Sequence, residues 1–392
     1  MNNPSFDNKK ILVITHFFAT GPSQELMNFL KDKTSILGFI EHPFSYANRN
    51  YSLMELYKKG KLFKKKLSPK FAGPDILWYI KDFFFTIFFA FKLEERFYLC
   101  IAADNLNALA AIFLKKVGVV KKVIYFTIDY TPQRFTNKIL NNIYHQIDKY
   151  CCYHADFIWN SSEVMIKQRE KKGILEEKSA PQITVEDGSN FEKIKRLPFA
   201  KINRNDIVFM GHLRKNKGIE MLLEVFSEVC LKVKKARLII IGGGELEQKL
   251  KKQAKKLKIK DRIIFTGYVP SHSRIEEMMT KCAVSVAPYV PDLNSFSFYS
   301  DVGKAKAYLA CGLPVIITKV PKIAWEIEKE KAGIAVNYDK EEIKEAIIKL
   351  LTKDSLYKKM RENAVKFGSN FTWEKTFNNA FVNSFSRFNK IL

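Results

Sequence analysis

From residue 206 to residue 352 the chain alternates short apolar runs with helical patterns, and this rhythm constrains the fold more than any other feature. The runs at 207–210, 237–241, 263–266, 284–287 and 315–318 are short and mostly apolar. Such runs suit parallel strands covered on both faces. Between them lie helical spacings such as Ile219, Leu222, Leu223 and Phe226, and turns such as Gly242-Gly243-Gly244. The alternation predicts a doubly wound α/β domain, whose ligands bind at the C-terminal ends of the strands. The first half repeats the alternation less regularly, with strands expected at 11–15, 35–40, 98–102, 122–127 and 157–160. Two domains are therefore expected, 1–190 and 191–369, with a terminal helix over 370–392.

Composition excludes several classes. A chain of 392 residues has ample core for two domains. Its six cysteines form no C-x-x-C pair, which suggests reduced thiols and a cytoplasmic setting rather than a disulfide framework. The start, Lys9-Lys10 and the apolar residues after it, faintly mimics a leader peptide but reads better as a first strand. The net charge of +25 calls for an anionic partner or for solvated lysine-rich helices such as 249–260. No RNA-binding signature, zinc knuckle or helix-turn-helix spacing accompanies it, so nucleic acid is not expected.

Two motifs carry the chemistry. In the first, an apolar strand from Asp206 enters the turn Gly211-His212-Leu213-Arg214-Lys215-Asn216-Lys217-Gly218 ahead of a helix. The second runs Ser300-Asp301-Val302-Gly303-Lys304-Ala305-Lys306-Ala307-Tyr308, then Gly312-Leu313-Pro314-Val315. Each places backbone N–H groups and lysine charge at a helix N-terminus, a favoured seat for phosphate. Two such ends in one sheet layer suggest a diphosphate. Arg214 offers a planar fork and Lys217 a point charge. His212 can donate to a phosphate oxygen. The alternative is a basic surface turn.

This pair of motifs resembles the nucleotide-sugar site of retaining glycosyltransferases of family 4, which have the GT-B fold of two facing Rossmann-like domains. The chain matches that pattern at Gly211, Leu213, Lys217, Gly218, Ala310, Gly312, Pro314 and Val315. It departs at His212, where arginine is expected, and at Tyr299 and Ala307, where glutamates are expected. The resemblance implies that Lys304 and the backbone of Gly303 and Ala305 hold the diphosphate of a nucleotide sugar. Alanine at 307 cannot bind ribose hydroxyls as the glutamate does, so Asp301 is either the acid that binds sugar or ribose, or a helix N-cap. Gly243 and Glu245 resemble the family's Gly-x-Gly turn, and Tyr268 lies in the loop that frames the base, where it stacks or simply packs.

For the first domain the resemblance implies the acceptor. His16 and Gly21 resemble the family's glycine loop facing the donor, although His16 also fits an ordinary strand-end histidine. Asp104, Asn105 and Asp129 stand at strand ends where relatives carry a sugar-contacting histidine. Arg134 falls in the same loop as Asp129. The stretch 185–189, with Gly188, resembles the interdomain crossover, and 371–380 resembles the helix that returns to the first domain. No Asp-x-Asp occurs, so no metal and no cofactor are expected, and basic groups would neutralise the leaving diphosphate.

Residues 78–91 are the most apolar stretch, too short and interrupted to span a bilayer. With the basic run 58–70 upstream they make either an anionic membrane-surface patch or a buried helix beside a solvated loop. The expected function is a metal-independent transferase at the inner face of the membrane. It would move a sugar from a nucleoside diphosphate to a glycan or lipid-linked acceptor. The alternative is a catalytically silent homologue serving as a glycan- or partner-binding subunit.

Overall fold

The structure, a computed structural model, describes residues 6, 8–17, 21–47, 49–292 and 303–388. The chain divides into two compact units, Met1–Glu186 with Trp373–Leu392, and Asp187–Thr372.

The first unit is built on β1 (Lys10–Phe17), β2 (Ile36–Pro43), β3 (Leu53–Lys58), β4 (Lys61–Leu67), β5 (Phe97–Ala103), β6 (Val120–Thr127), β7 (Phe157–Asn160) and β8 (Gln182–Thr184). They form one sheet in the order β4-β3-β2-β1-β5-β6-β7-β8. Pairing is parallel except at β2–β3 and β3–β4. Helices α1 (Pro22–Lys31), α2 (Asp75–Lys92), α3 (Asp104–Lys116), α4 (Lys138–His154) and α5 (Glu163–Lys171) accompany the sheet. The terminal helix Trp373–Phe388 seals one face with Phe377, Phe381 and Phe388. There Trp159 Nε1 donates to Ser384 Oγ at 2.9 Å. The middle of β1, from Ile11 to Ile14, is essentially inaccessible, as expected of a strand covered on both sides.

Two expectations for this unit need correction. The basic run 58–70 is not a solvated loop. It is half of the β3–β4 hairpin, whose turn residues Lys59 and Gly60 have φ of 46° and 78°. Two central residues with positive φ suit the twist of a tight hairpin. Nor is the following helix buried all round. α2 buries Trp78, Asp82, Thr86, Phe89 and Ala90 but leaves Ile76, Leu77, Ile80, Phe84, Phe88 and Phe91 exposed.

The second unit is a wholly parallel sheet of β9 (Asn203–Met210), β10 (Arg237–Ile241), β11 (Ile263–Phe265), β12 (Cys282–Ala287), β13 (Val315–Thr318) and β14 (Gly333–Val336). Its order is β11-β10-β9-β12-β13-β14. In this unit β14 is the strand that sequence reading omitted, as it omitted β3, β4 and β8 in the first. Its Gly333 lies so close to Val315 O that a Cβ there would collide. α6 (Ile219–Lys232) follows β9.

Both sheets reverse direction beside their first strand. In the second unit the chain winds outward from β9 to β11, then crosses to β12 on the other side of β9. In the first unit the equivalent reversal separates β1 from β5. A crevice opens beyond the strand ends at such a switch point, and ligands of open α/β sheets bind there.

Candidate functional site

At the switch point of the second unit the two motifs meet. Gly211 ends β9 with φ of 153°, a conformation close to glycine's alone. A Cβ on Gly211 would fall on Lys304 Nζ, so the ammonium lies directly over this backbone. Lys304 is the second residue of the helix Gly303–Ala310. Tyr308, one turn further on, accepts a hydrogen bond from Met210 N at 2.6 Å. That bond ties the helix to the end of β9. Neither composition nor spacing pointed to Tyr308. Its signal is its place beside Ala307 in the motif.

The turn itself is held by glycine contacts. Gly211 N donates to Ile241 O at 2.8 Å, and Leu213 N donates to Gly243 O at 3.1 Å. Gly242 and Gly244 approach the backbone of Gly211 and Leu213 so closely that side chains would collide. Gly243 therefore seats the first motif through its carbonyl. Gly218, with φ of 65°, stands just before α6 and leaves room for Pro288 O beyond β12.

Four basic groups converge at this point. Burial first, and then the charges of Lys217 and Arg214, push the Lys304 ammonium down to about 7. His212 is also lowered, by burial first and by the charges of Lys304, Arg214 and Lys217. Lysine and histidine lose affinity for their protons when crowded cations share a desolvated site. A recess lined by Met210, Lys217, Pro288, Tyr289, Lys304 and Tyr308 lies among them. Lys217 Nζ stands 5.4 Å from the centre of the Tyr289 ring. The arrangement is ready for an anion with several oxygens, which would relieve the mutual repulsion.

The other expected residues of this unit have plainer surroundings. Ala305 is fully buried, so it can offer a ligand only its backbone. Glu245 is exposed beyond the glycine turn, and Tyr268 is 49% exposed. Gly303 borders Asp187, whose carboxylate would meet any Cβ placed there. Asp301 and Tyr299 lie outside the described residues.

The first unit gathers a second set at its own switch point. Asp104 opens α3 with φ of 63°, a strained conformation for a residue with a side chain. Its Oδ1 accepts from Ile128 N and Asp129 N, each at 3.3 Å. Burial raises the Asp104 carboxyl, opposed by the Arg134 charge and these N–H groups. Burial lowers Arg134, but the carboxylates of Asp129 and Asp104 and the phenols of Tyr144 and Tyr79 reverse the sign and raise it. Asp104, Asp129 and Arg134 are thus one electrostatic cluster. Asn105 points elsewhere, donating to Tyr144 O at 3.0 Å. Gly21 caps α1, its N–H bonded to Gln24 Oε1 at 2.9 Å.

His16 is engaged on both ring nitrogens. Asn107 Nδ2 lies 3.0 Å from Nδ1 and also donates to Ala103 O at 2.8 Å, which identifies it as the amide nitrogen. Nδ1 is therefore the acceptor, and Nε2–H donates to Asp82 Oδ2 at 3.3 Å. The ring stacks on Phe44 at 4.9 Å. Asp82 also faces Lys81 Nζ at 2.8 Å and His42 Nδ1 at 3.4 Å. Burial alone would raise Asp82, but His16, His42 and Lys81 together lower it. His42, wholly buried, is lowered to about 3 and is neutral. Sequence reading missed Asp82, because an acid inside an apolar helix declares no partner 66 residues away.

Residues 190–367 match the family model for glycosyl transferases group 1. This match spans β9 to β14 and both motifs. A protein described as an uncharacterized glycosyltransferase of Methanocaldococcus jannaschii is 25% identical over 218 residues, which is 55% of this chain and 57% of that protein. The chain thus spans little more than half of that relative's length. Among solved structures, sucrose-phosphate synthase from Thermosynechococcus elongatus superposes with a TM-score of 0.73 at 13% identity, covering 98% of this chain and 100% of that one. HepE of Anabaena, in complex with UDP and glucose, gives a TM-score of 0.68 at 14% identity, covering 97% and 100%. The chain has the GT-B fold. In it the group 1 domain is the unit with the four converging basic groups.

Proposed function

We propose that this protein is a retaining glycosyltransferase of the family 4 type. It moves a sugar from a nucleoside-diphosphate donor to a glycan or lipid-linked hydroxyl, without a divalent metal. The observation that carries this reading is the convergence of Lys304, Lys217, Arg214 and His212 on Gly211 at a topological switch point. The diphosphate gains negative charge as its bond to the sugar breaks. Fixed ammonium and guanidinium groups with N–H donors around it stabilise that charge selectively. The departing phosphate oxygen takes the acceptor's proton on the face where the acceptor attacks, so no enzymic nucleophile is required. HepE's complex with UDP and glucose supports the same ligand class.

In this reading Gly211, Gly243, Gly303 and Ala305 bring backbone to the donor, Tyr268 and Glu245 border its nucleoside, and Asp301 orients a sugar or ribose hydroxyl. Asp104, Asp129 and Arg134 meet the acceptor, with His16 and Gly21 holding the strand end beside them. The exposed stripe of α2 and the lysines of β4 rest on an anionic membrane, the expected seat for a lipid-linked acceptor. Calorimetric titration of nucleotide sugars tests the donor site. Lys217→Ala or Lys304→Ala should weaken binding by about 1.5–3 kcal/mol, the value of a charge-assisted hydrogen bond. Unchanged affinity in both variants would remove the basis for the site. Ala307 in place of a glutamate favours a second reading, a silent binding subunit. Absence of transfer or hydrolysis with every nucleotide sugar, despite tight binding, would establish it.

A further inference from the structure

Away from both switch points, α4 presents a polar groove. Lys138, Asn142, His145, Gln146 and Lys149 fall on one helical stripe, and Lys172 lines the opposite wall. No carboxylate lines the groove among the described residues, and Ile174 is the apolar member of its lining. The amides offer donors and acceptors at neighbouring positions, and the lysines offer charge.

One atom of a lining residue lacks a partner. His145 bonds Pro132 O at 2.9 Å through Nε2, and a carbonyl only accepts, so Nε2 carries the proton. Nδ1 is then a lone-pair acceptor. It is buried and has no hydrogen-bond partner among the described residues. A buried acceptor left unmet is costly, and it adds to the polar character of this wall of the groove.

The stripe also adjoins the Asp129–Arg134 loop. Asn141 Oδ1 accepts from Arg134 N at 2.8 Å and Phe135 N at 3.1 Å, and Asn141 Nδ2 reaches Pro132 O at 3.3 Å. The loop that holds Arg134 is thus seated on the first half of α4. From Lys138 to Lys149 the helix rises by about 16 Å at its usual pitch, which suits a short oligosaccharide better than a single sugar.

We propose that this face of α4 binds an anionic oligosaccharide, its hydroxyls meeting the amides of Asn142 and Gln146 and its acidic groups meeting Lys138, Lys149 and Lys172. The site extends the proposed acceptor region toward a chain of several sugars, and only that role rests on the transferase reading. The binding itself does not. Nucleic acid is disfavoured because, among the described residues, no phenyl, phenol or indole ring lines the groove for bases to stack on. A bilayer is disfavoured because the lining residues are polar or charged apart from Ile174, with no aromatic side chain of the kind that inserts among lipids.

The test uses the full chain, with hexagalacturonate as the anionic probe, maltohexaose as the neutral one and oligothymidylate as the nucleic acid. Calorimetry should show hexagalacturonate binding at least tenfold tighter than maltohexaose. The variant Lys138→Gln/Lys149→Gln, with its melting temperature checked against wild type, should lose about tenfold for hexagalacturonate. Its nucleotide affinity should not change, since those lysines lie outside the donor site. Equal hexagalacturonate binding by variant and wild type, no binding at all, or tighter binding of oligothymidylate would overturn the proposal. Failure of nucleotide binding with hexagalacturonate binding intact would sink the transferase reading and leave this site standing.

Discussion

The ammonium of Lys304 occupies the space where a side chain on Gly211 would lie, although the two residues are 93 positions apart. The side chain that one motif lacks leaves room for the lysine of the other. Gly211→Ala must therefore displace the lysine and strain a backbone at φ of 153°. The strain alone costs about 1–3 kcal/mol. Chemical denaturation should show that loss, and nucleotide affinity should fall with it. A variant that stays as stable and binds equally well would show that the contact is dispensable.

Acidity offers an independent handle on the same lysine. Lys304 is pushed down to about 7, while an unfolded lysine titrates near ~10.4. Between those values the unfolded chain holds more protons than the folded one, so ligand-free stability should rise with pH from about 7 upward. Lys304→Met should remove that component of the rise. Nucleotide binding should run the other way, weakening above about pH 7 as the ammonium is lost. An affinity that stays level from pH 6 to 9 in the wild type would separate Lys304 from the ligand.

Asp82 joins His16, His42 and Lys81 beneath the strand ends of the first unit. Asp82→Ala should strand the nearly buried Lys81 cation and cost about 3–5 kcal/mol, as loss of one partner from a buried pair does. Urea unfolding measures this directly. A loss below about 1 kcal/mol would mean that water replaces the carboxylate without penalty.

The exposed side chains of α2 should drive membrane binding. Ile80, Phe84 and Phe91 are 50%, 63% and 53% exposed, and β4 beside them carries Lys61, Lys64, Lys65 and Lys66. Lys66 lies 5.1 Å above the Phe88 ring, so the basic strand and the aromatic helix share one surface. Sedimentation with vesicles containing phosphatidylglycerol should exceed that with neutral vesicles and should fall as salt rises. Phe84→Ser/Phe91→Ser should reduce it at every salt concentration. Equal partitioning to both vesicle types would leave the stripe without a lipid role.

Asp301 distinguishes an enzyme from a silent homologue. Asparagine caps helices about as well as aspartate, so Asp301→Asn should stay folded. If the carboxylate orients a hydroxyl of the donor, turnover should collapse while the melting temperature holds. Full activity in this variant would reduce Asp301 to a cap.

The sequence alone determined the α/β class, most strands of both sheets and the segment that holds the two glycine- and lysine-bearing motifs. Those features follow from local periodicity, since a strand buried on both faces must be apolar throughout and a turn into a helix must be small. That Gly211, Lys217 and Lys304 would come together was legible for a related reason, because each motif sets glycine and cations at the start of a helix. The hairpin at Lys59-Gly60 escaped because β4 is an exposed, lysine-rich edge whose Leu62, Phe63 and Leu67 follow no strand alternation. Asp82 escaped because its partners, His16 and His42, come from two other strands. Tyr308 escaped because its bond to Met210 N exists only once the helix Gly303–Ala310 lies against β9. The sense of the Lys304 shift was equally hidden, since burial and the nearness of Lys217 and Arg214 arise only in the folded unit. Periodicity acts along the chain, whereas desolvation and charge act through space, so the tertiary structure alone could decide which candidate groups share a site.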